Sequence, residues 1–292
     1  MELSALRIFQ AVAEEGSVTQ AAARLNRVQS NVSARLAQME EALGVPLFHR
    51  SGRRLLITAE GERLLAYAGR LLTLADEAQA AVRGDQRPAG QLRIGAMETA
   101  AAARLPLVLA AFHRRHPEVD LLLETAPTDQ LVQAVLNHKL DVALVAAPVL
   151  RPELAQLAVF EEELVLLTDA AQGPVRSPRD VARRALLVFR SGCAYRRRLE
   201  NWFAEADVAT TRISEFGTFE AILGCVAAGM GVALMPKEVL KQRQLGSSIQ
   251  CHALPPQTAL VQTMLVWRGD VLHHPARHAF AACFDAGISP EA

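Results

Sequence analysis

From Gln91 to Pro236 short apolar runs alternate with amphipathic stretches, and this alternation constrains the fold more than any other feature of the chain. Residues 91–97 (QLRIGAM) read as a buried strand, 100–114 as a helix, 119–126 (VDLLLETA) as a strand, 128–138 as a helix and 140–147 (LDVALVAA) as a strand. That order is βαβαβ, which predicts a parallel sheet with right-handed crossovers. The pattern restarts with a strand at 163–169, a helix at 177–184 and a strand at 185–189. A helix at 194–206, a strand near 212–216, a helix at 218–229 and a strand at 232–236 complete it. Two α/β units of similar size predict two lobes with a cleft between them.

In such folds ligands settle beyond the carboxyl ends of strands, where helix N-termini present free N–H groups. Those positions carry Glu98-Thr99-Ala100, Pro127-Thr128 and Ala147-Pro148 in the first unit. In the second they carry Arg190-Ser191-Gly192-Cys193 and Gly217-Thr218-Phe219. Any one of these residues fits a plain helix cap. Their recurrence at several strand ends predicts a site that cradles a small anion or zwitterion.

The first 90 residues follow a different rule. Leu3, Leu6, Phe9 and Ala13 recur at helical spacing until Gly16-Ser17. A short second helix follows, TQAAARLN, with Ser17 or Thr19 as its cap. In the third, QSNVSARLAQMEEAL, Val32, Leu36, Met39 and Leu43 form a core-facing stripe. Ser30, Ala34 and Ala37 project from the opposite face, flanked by Ser33 and Gln38. A face of small polar groups permits close approach to another surface. Gln29, Ser30, Asn31 and Ser33 supply donors and acceptors at its N-terminal end. Taken alone, these residues fit an ordinary capped helix as well as a recognition helix in a DNA major groove. The downstream run LFHRSGRRLLIT favours the second reading: a hairpin with Arg50, Arg53 and Arg54 around Ser51-Gly52 suits phosphate or minor-groove contact. Residues 27–54 hold five arginines against two acids, although the whole chain balances 31 basic with 31 acidic residues. The charge is local, as a small reading head needs, and the chain as a whole is no general polyanion binder.

Residues 59–84 read as one long helix capped by Thr58, with Glu60 and Glu62 in its first turn. Leu64, Ala68, Leu71, Ala75, Ala78 and Val82 follow heptad spacing and predict a seam for a second copy of the chain. Packing on the helix's own N-terminal domain is the alternative. Arg87-Pro88-Ala89-Gly90 then breaks the pattern. The predicted domains are thus a reading head at 1–58, a linker helix and hinge at 59–90, and a two-lobed unit at 91–292. The first lobe spans about 91–161 and 267–292, the second about 162–266.

The N-terminus carries Glu2, Glu14 and Glu15 and has no secretory pattern, and no apolar run reaches the ~18 residues that span a bilayer. A cytoplasmic protein with no membrane partner is expected. Its four cysteines (Cys193, Cys225, Cys251, Cys283) are widely spaced and expected to be thiols. The sequence contains no G-x-S-x-G, H-E-x-x-H, phosphate-binding G-x-x-x-x-G-K-[ST] or G-x-G-x-x-G. Neither an enzyme nor a metal or cofactor site is expected.

Residues 3–61 resemble the winged helix-turn-helix of LysR-type transcriptional regulators. The likeness is carried by Leu6-x-x-Phe9, Gly16-Ser17, Ala21-Ala22, Leu25, Val28-Gln29-Ser30, Val32-Ser33, Leu36, Met39-Glu40, Leu43-Gly44-Val45-x-Leu47-Phe48-x-Arg50 and Thr58-x-x-Gly61. The remainder is similar to the effector domain of that family in Leu92-Arg93-Ile94-Gly95, Leu105-Pro106, His116-Pro117, Leu140-Asp141-Val142-Ala143 and the run from Val226 to Pro236. The resemblance implies a two-lobed fold like the type 2 periplasmic binding proteins, double-stranded promoter DNA as a partner, and a small-molecule effector in the interlobe cleft. It further implies a homodimer or, more often, a tetramer built from two dimers, with RNA polymerase as a candidate partner. DNA contacts are expected from Thr19, Gln20, Gln29, Ser30, Asn31, Ser33, Arg35, Arg50, Arg53 and Arg54. Effector contacts are expected from Glu98, Thr99, Ala100, Thr128, Ala147, Pro148, Ser191, Gly192, Cys193, Thr218 and Phe219. The chain departs from the family's habit at Ser30 and Asn31, where Pro or Ala is frequent, and at Ala34-Arg35, where the basic residue comes one place late. Residues 189–203 resemble a subset of the family with a Gly-Cys-(Ser/Ala)-Tyr-Arg pattern. There Cys193 would start a helix, where a thiol pKa can fall. A thiol-based redox regulator is therefore the alternative function. A solute-binding transport protein and an enzyme on the same two-lobed fold are further rivals.

Overall fold

The computed structural model describes residues 2–51, 54–83, 87–210, 212–241, 246–271 and 274–285. The chain forms two compact units, Met1–Gln86 with Asn137–Lys139, and Arg87–Leu136 with Leu140–Ala292.

The first unit begins with α1 (Leu3–Glu15), α2 (Val18–Arg24) and α3 (Gln29–Leu43). Ser17 caps α2, its hydroxyl accepting from the Gln20 N–H at 3.4 Å, so the cap is Ser17 and not Thr19. The hairpin β1 (Phe48–Ser51) and β2 (Arg54–Ile57) is antiparallel. The 25-residue helix α4 (Ala59–Arg83) follows, and Thr58 caps it by accepting from the Gly61 N–H at 3.0 Å. Gly61 has a steric reason: a Cβ there would run into the Leu47 carbonyl and the Ile57 side chain. Phe9, Val12, Ala21, Val32, Leu36, Met39 and Leu47 make one core, with Phe9 and Phe48 rings 5.4 Å apart.

Two expectations need correction here. Leu43, read as the end of the α3 stripe, is 43% exposed, because α3 ends there at a left-handed Gly44. On α4, Ala68 is buried together with Leu72 in the core of its own unit, so the seam read from the sequence is partly used up by local packing. Among the described residues of α4 the large apolar side chains left exposed are Tyr67, Leu71, Leu74 and Val82, at 58%, 40%, 62% and 89%.

The second unit opens with β3 (Gly90–Ala96), α5 (Glu98–Ala103), α6 (Leu105–Arg115), β4 (Val119–Thr125), α7 (Thr128–Leu136) and β5 (Val142–Ala146). It continues with β6 (Leu154–Asp169), β7 (Ala185–Phe189), α8 (Ala194–Glu205), β8 (Ile213–Phe216), α9 (Phe219–Ala227) and β9 (Gly231–Pro236). The last elements are α10 (Lys237–Lys241), β10 (Ile249–Ala253), α11 (Pro256–Ala259), β11 (Leu260–Arg268) and α12 (Pro275–Asp285). The single helix expected over 100–114 is two helices. Arg104 at φ −111° separates them, and Pro106 sits in the first turn of the second, where a missing N–H costs nothing. The helix expected at 177–184 is only a 3-10 turn, Pro178–Val181.

Strand order is β4-β3-β5-β11-β6-β9-β7-β8, with β10 on β6. The β4-β3-β5 and β8-β7-β9 groups are parallel, as the alternation predicts. The sheet as a whole is mixed, because β6 and β11 run antiparallel to their neighbours. The 16-residue β6 pairs with β11 up to Glu163 and with β9 from Leu164, so one strand passes from the first lobe into the second. β11 pairs with β5 from Thr263 to Val266, so it joins the first-lobe strands, where the sequence put 260–266 in the second lobe. Each lobe has an apolar core, one around Phe112 and Phe280 and one around Phe219, Ile222 and Met235.

A charged staple holds the first lobe. Asp141, ahead of β5, accepts from the Arg93 backbone N–H at 2.7 Å and from its guanidinium at 2.5 and 3.1 Å, with His274 Nε2 at 3.8 Å. Burial alone would raise the carboxyl pKa, but the nearby His274 imidazole and the hydrogen bonds and charge of Arg93 outweigh it and hold the group at about 2. His274 also begins α12, its Nδ1 accepting from the Arg277 N–H at 3.2 Å; His273 lies outside the described residues.

Candidate functional site

In the first unit, α3 buries Val32, Leu36 and Met39 and leaves Gln29, Ser30, Asn31, Ser33, Ala34, Arg35, Ala37 and Gln38 exposed. At 1.5 Å per residue its 15 residues span about 22 Å. This face presents short hydrogen-bonding groups on a helix thin enough for a major groove about 12 Å wide. Thr19 and Gln20 are exposed on α2, the preceding helix. Arg35 meets Glu2 at 3.3 Å, an exposed pair that phosphate could replace at little cost. Arg50 and Arg54 fall within β1 and β2, but their side chains, and Arg53 altogether, lie outside the described residues.

In the second unit the strand ends converge. Met97, Glu98 and Thr99 follow β3, and Thr125, Ala126, Pro127, Thr128 and Gln130 lie at the end of β4 and the start of α7. Phe189, Arg190, Cys193 and Tyr195 come from β7 and α8, and Phe216, Gly217 and Thr218 from β8. Together they line a cavity of about 370 Å³, within the range of small-molecule sites. Two interlobe hydrogen bonds flank it: the Phe219 N–H donates to Glu98 Oε1 at 3.1 Å, and the Asp129 N–H donates to the Gly192 carbonyl at 3.3 Å. The Arg197–Asp129 pair adds a 3.5 Å ionic contact. Thr218 caps α9 by accepting from the Ala221 N–H at 3.3 Å, and the buried Thr128 hydroxyl accepts from the Ala146 N–H at 3.4 Å.

Burial pushes the Glu98 carboxyl above its ordinary range against the pull of the Phe219 N–H, and nearby Glu220 adds to the rise. Burial also raises the Tyr195 phenol, against the opposing pull of nearby Thr99.

Of the effector contacts expected from sequence, Glu98, Thr99, Thr128, Cys193 and Thr218 come together in this cavity. Ala147 and Pro148 line a neighbouring hollow of about 710 Å³ that shares Thr128 with the first. Ala100 is buried in the core, and Phe219 offers only its backbone N–H because its ring packs with Ile222 and Val226. Ser191 and Gly192 stand outside both linings. Sequence reasoning missed Gln130 and Tyr195, each set within the first turn of a helix whose first residues it did name. Cys193 begins α8 and lines the cavity, but the drop in thiol pKa that a helix start can bring does not occur: burial raises the pKa and outweighs the Arg196 and Tyr195 backbone N–H groups. Cys193 and Cys225 are half-buried, Cys251 is exposed and Cys283 is buried, all as free thiols. Among the described residues no group of three or more His, Cys, Asp or Glu could hold a metal ion, and no helix is long and apolar enough to cross a membrane.

Known proteins match both units. Residues 3–62 match the family described as bacterial regulatory helix-turn-helix protein, lysR family, and residues 85–288 match the LysR substrate binding domain. The HTH-type transcriptional regulator GltR of Bacillus subtilis (strain 168) is 40% identical over 280 residues, covering 96% of this chain and 95% of that protein. The HTH-type transcriptional regulator YofA of the same organism is 44% identical over 270 residues, covering 92% and 93%. Among solved structures, full-length CbnR complexed with its target DNA aligns with a TM-score of 0.67 at 25% identity, covering 98% of this chain and 99% of that one. A full-length OxyR variant from Pseudomonas aeruginosa aligns with a TM-score of 0.74 at 23% identity, covering 98% and 94%. The chain belongs to the LysR family of transcriptional regulators. It is a DNA-binding transcriptional regulator with a C-terminal effector-binding domain.

Proposed function

We propose that α3 reads promoter DNA in the major groove through Gln29, Ser30, Asn31, Ser33 and Arg35, with Thr19 and Gln20 of α2 beside it. In this reading Arg50, Arg53 and Arg54 anchor the wing on the backbone. The observation that carries it is the division of α3 into a buried stripe and an exposed face of small polar groups. Residues 1–58 act as the reading head, 59–90 as linker and 91–292 as effector domain. A small anionic or zwitterionic metabolite binds between the lobes at Thr99, Thr128 and Thr218, where the amino end of α7 favours negative charge. The protein binds and releases the effector without turnover and works in the cytoplasm. It assembles through the exposed Tyr67, Leu71, Leu74 and Val82 of α4, as a dimer or a tetramer built from two dimers. RNA polymerase is the further partner through which bound protein would act on transcription.

The test is fluorescence anisotropy on a bound promoter fragment with Gln29→Ala, Ser33→Ala and Arg35→Ala combined. Specific affinity should fall by about 100-fold or more, since each lost base contact costs roughly 1–3 kcal/mol. Unchanged specific affinity would remove α3 from the role of reading helix.

A further inference from the structure

The effector cleft has two electrically opposite ends, and each lacks a partner. At one end Glu98 Oε1 accepts from the Phe219 N–H, while Oε2 is buried with no hydrogen-bond partner. A buried carboxylate oxygen left unmatched is costly, and Glu98 lines the cavity, so a ligand donor toward which this side chain turns supplies the missing match. Glu220 lies near enough to raise the Glu98 pKa further, so the ligand group that suits this end is a cation. At the other end stands the Arg190 guanidinium, whose Nη2 is 3.6 Å from where a Cβ on Gly217 would be. It takes part in no ion pair among the described residues.

The two groups lie on one turn. Arg190 rests against Gly217 and Glu98 is bonded to Phe219, two residues on. Two residues span at most about 7 Å of backbone, so both groups border the same short stretch of the cavity wall. A molecule with an ammonium and a carboxylate a few bonds apart can reach both groups with one charge-assisted hydrogen bond at each end. A plain carboxylate would satisfy Arg190 and leave Glu98 Oε2 unmatched and repelled. A plain amine would do the reverse.

We propose that this cleft selects a zwitterion, a free amino acid or close derivative, with its ammonium on Glu98 Oε2 and its carboxylate on Arg190. This rests on the cleft being the effector site. Glu98 then has two tasks, capping α9 with one oxygen and reading the effector's amine with the other. An ammonium there also keeps the carboxyl ionised against the burial that raises its pKa.

The experiment is a thermal-shift screen on the full chain, followed by titration calorimetry. The probes are the twenty proteinogenic amino acids, their 2-oxo acids, and their carboxamides, which keep the amine and lose the carboxylate. At least one amino acid should bind, its 2-oxo acid and carboxamide each at least about 10-fold more weakly. Glu98→Gln keeps the acceptor for Phe219 and should weaken that amino acid by about 10- to 100-fold, as should Arg190→Gln. Both variants should stay folded without ligand, with cooperative melting and far-UV circular dichroism like the wild type. Binding of a 2-oxo acid but no amino acid, or tighter binding by Glu98→Gln, would overturn the zwitterion and leave the cleft reading intact. The absence of any amino acid ligand would overturn it too. An amino acid whose affinity ignores Glu98→Gln, Arg190→Gln and Thr128→Val alike would overturn both readings.

Discussion

Asp141→Asn removes the charge that ties β3, β5 and the start of α12 together while keeping the side chain's shape. Its carboxyl pKa is held at about 2, against an ordinary 3.8. At 1.36 kcal/mol per unit, this charge adds about 2 kcal/mol to the stability of the second unit. Because the folded pKa is the lower one, the contribution is complete above the unfolded value, near pH 5 and higher. It shrinks as pH falls through about 2, and roughly half remains at pH 3. Trp202 and Trp267, the two tryptophans of the chain, both lie in the second unit, so their fluorescence follows its unfolding alone. In urea, Asp141→Asn should lower stability by about 2 kcal/mol at pH 7, and the gap from wild type should narrow by about half at pH 3. Equal stabilities at pH 7, or a gap that does not change with pH, would refute the reasoning that the ion pair and its hydrogen bonds set the shift.

Three further outcomes follow from the packing. Gly231→Ala drives a Cβ into the Ala185 carbonyl and against Leu187, and should cost about 1–3 kcal/mol in the same urea assay. Leu74→Glu with Val82→Glu places charge on the exposed stripe of α4 without touching buried Ala68 or Leu72. Sedimentation should show a smaller assembly with an intact fold, and an unchanged assembly would exclude α4 as the contact. A protein in which only Cys193 is left, the other three being serine, should react with iodoacetamide at pH 7.5 more slowly than free cysteine, because burial raises its pKa. Faster reaction would restore the redox alternative.

Much of this architecture is local and therefore legible in the sequence. The periods of α1, α3 and α4, and the β-α alternation from Gly90 to Pro236, are written in residues close together along the chain. What escaped is long-range. The part of β6 before Leu164, ending in Glu161, Glu162 and Glu163, shows little strand character until β11 pairs with it about a hundred residues on. The helix break at Arg104 was signalled by Pro106 and overridden by the alanine run before it. At the cleft, the rule that ligands sit at strand ends named Thr99, Thr128 and Thr218, and all three line the cavity. The same rule misplaced Phe219, because an apolar ring at such a position turns to the core. It stopped short of Tyr195, which reaches the cavity from inside the first turn of α8.

The division of α3 into a buried stripe and a reading face is the core of this account, and selection from random-sequence duplexes tests it most directly. Wild-type protein should enrich one site with two-fold symmetry, two half-sites matching two reading heads. Protein with Gln29→Ala, Ser33→Ala and Arg35→Ala should lose that enrichment while keeping its salt-dependent binding to any duplex. Recovery of the same site by the triple variant would contradict the assignment of α3 as the element that reads the sequence.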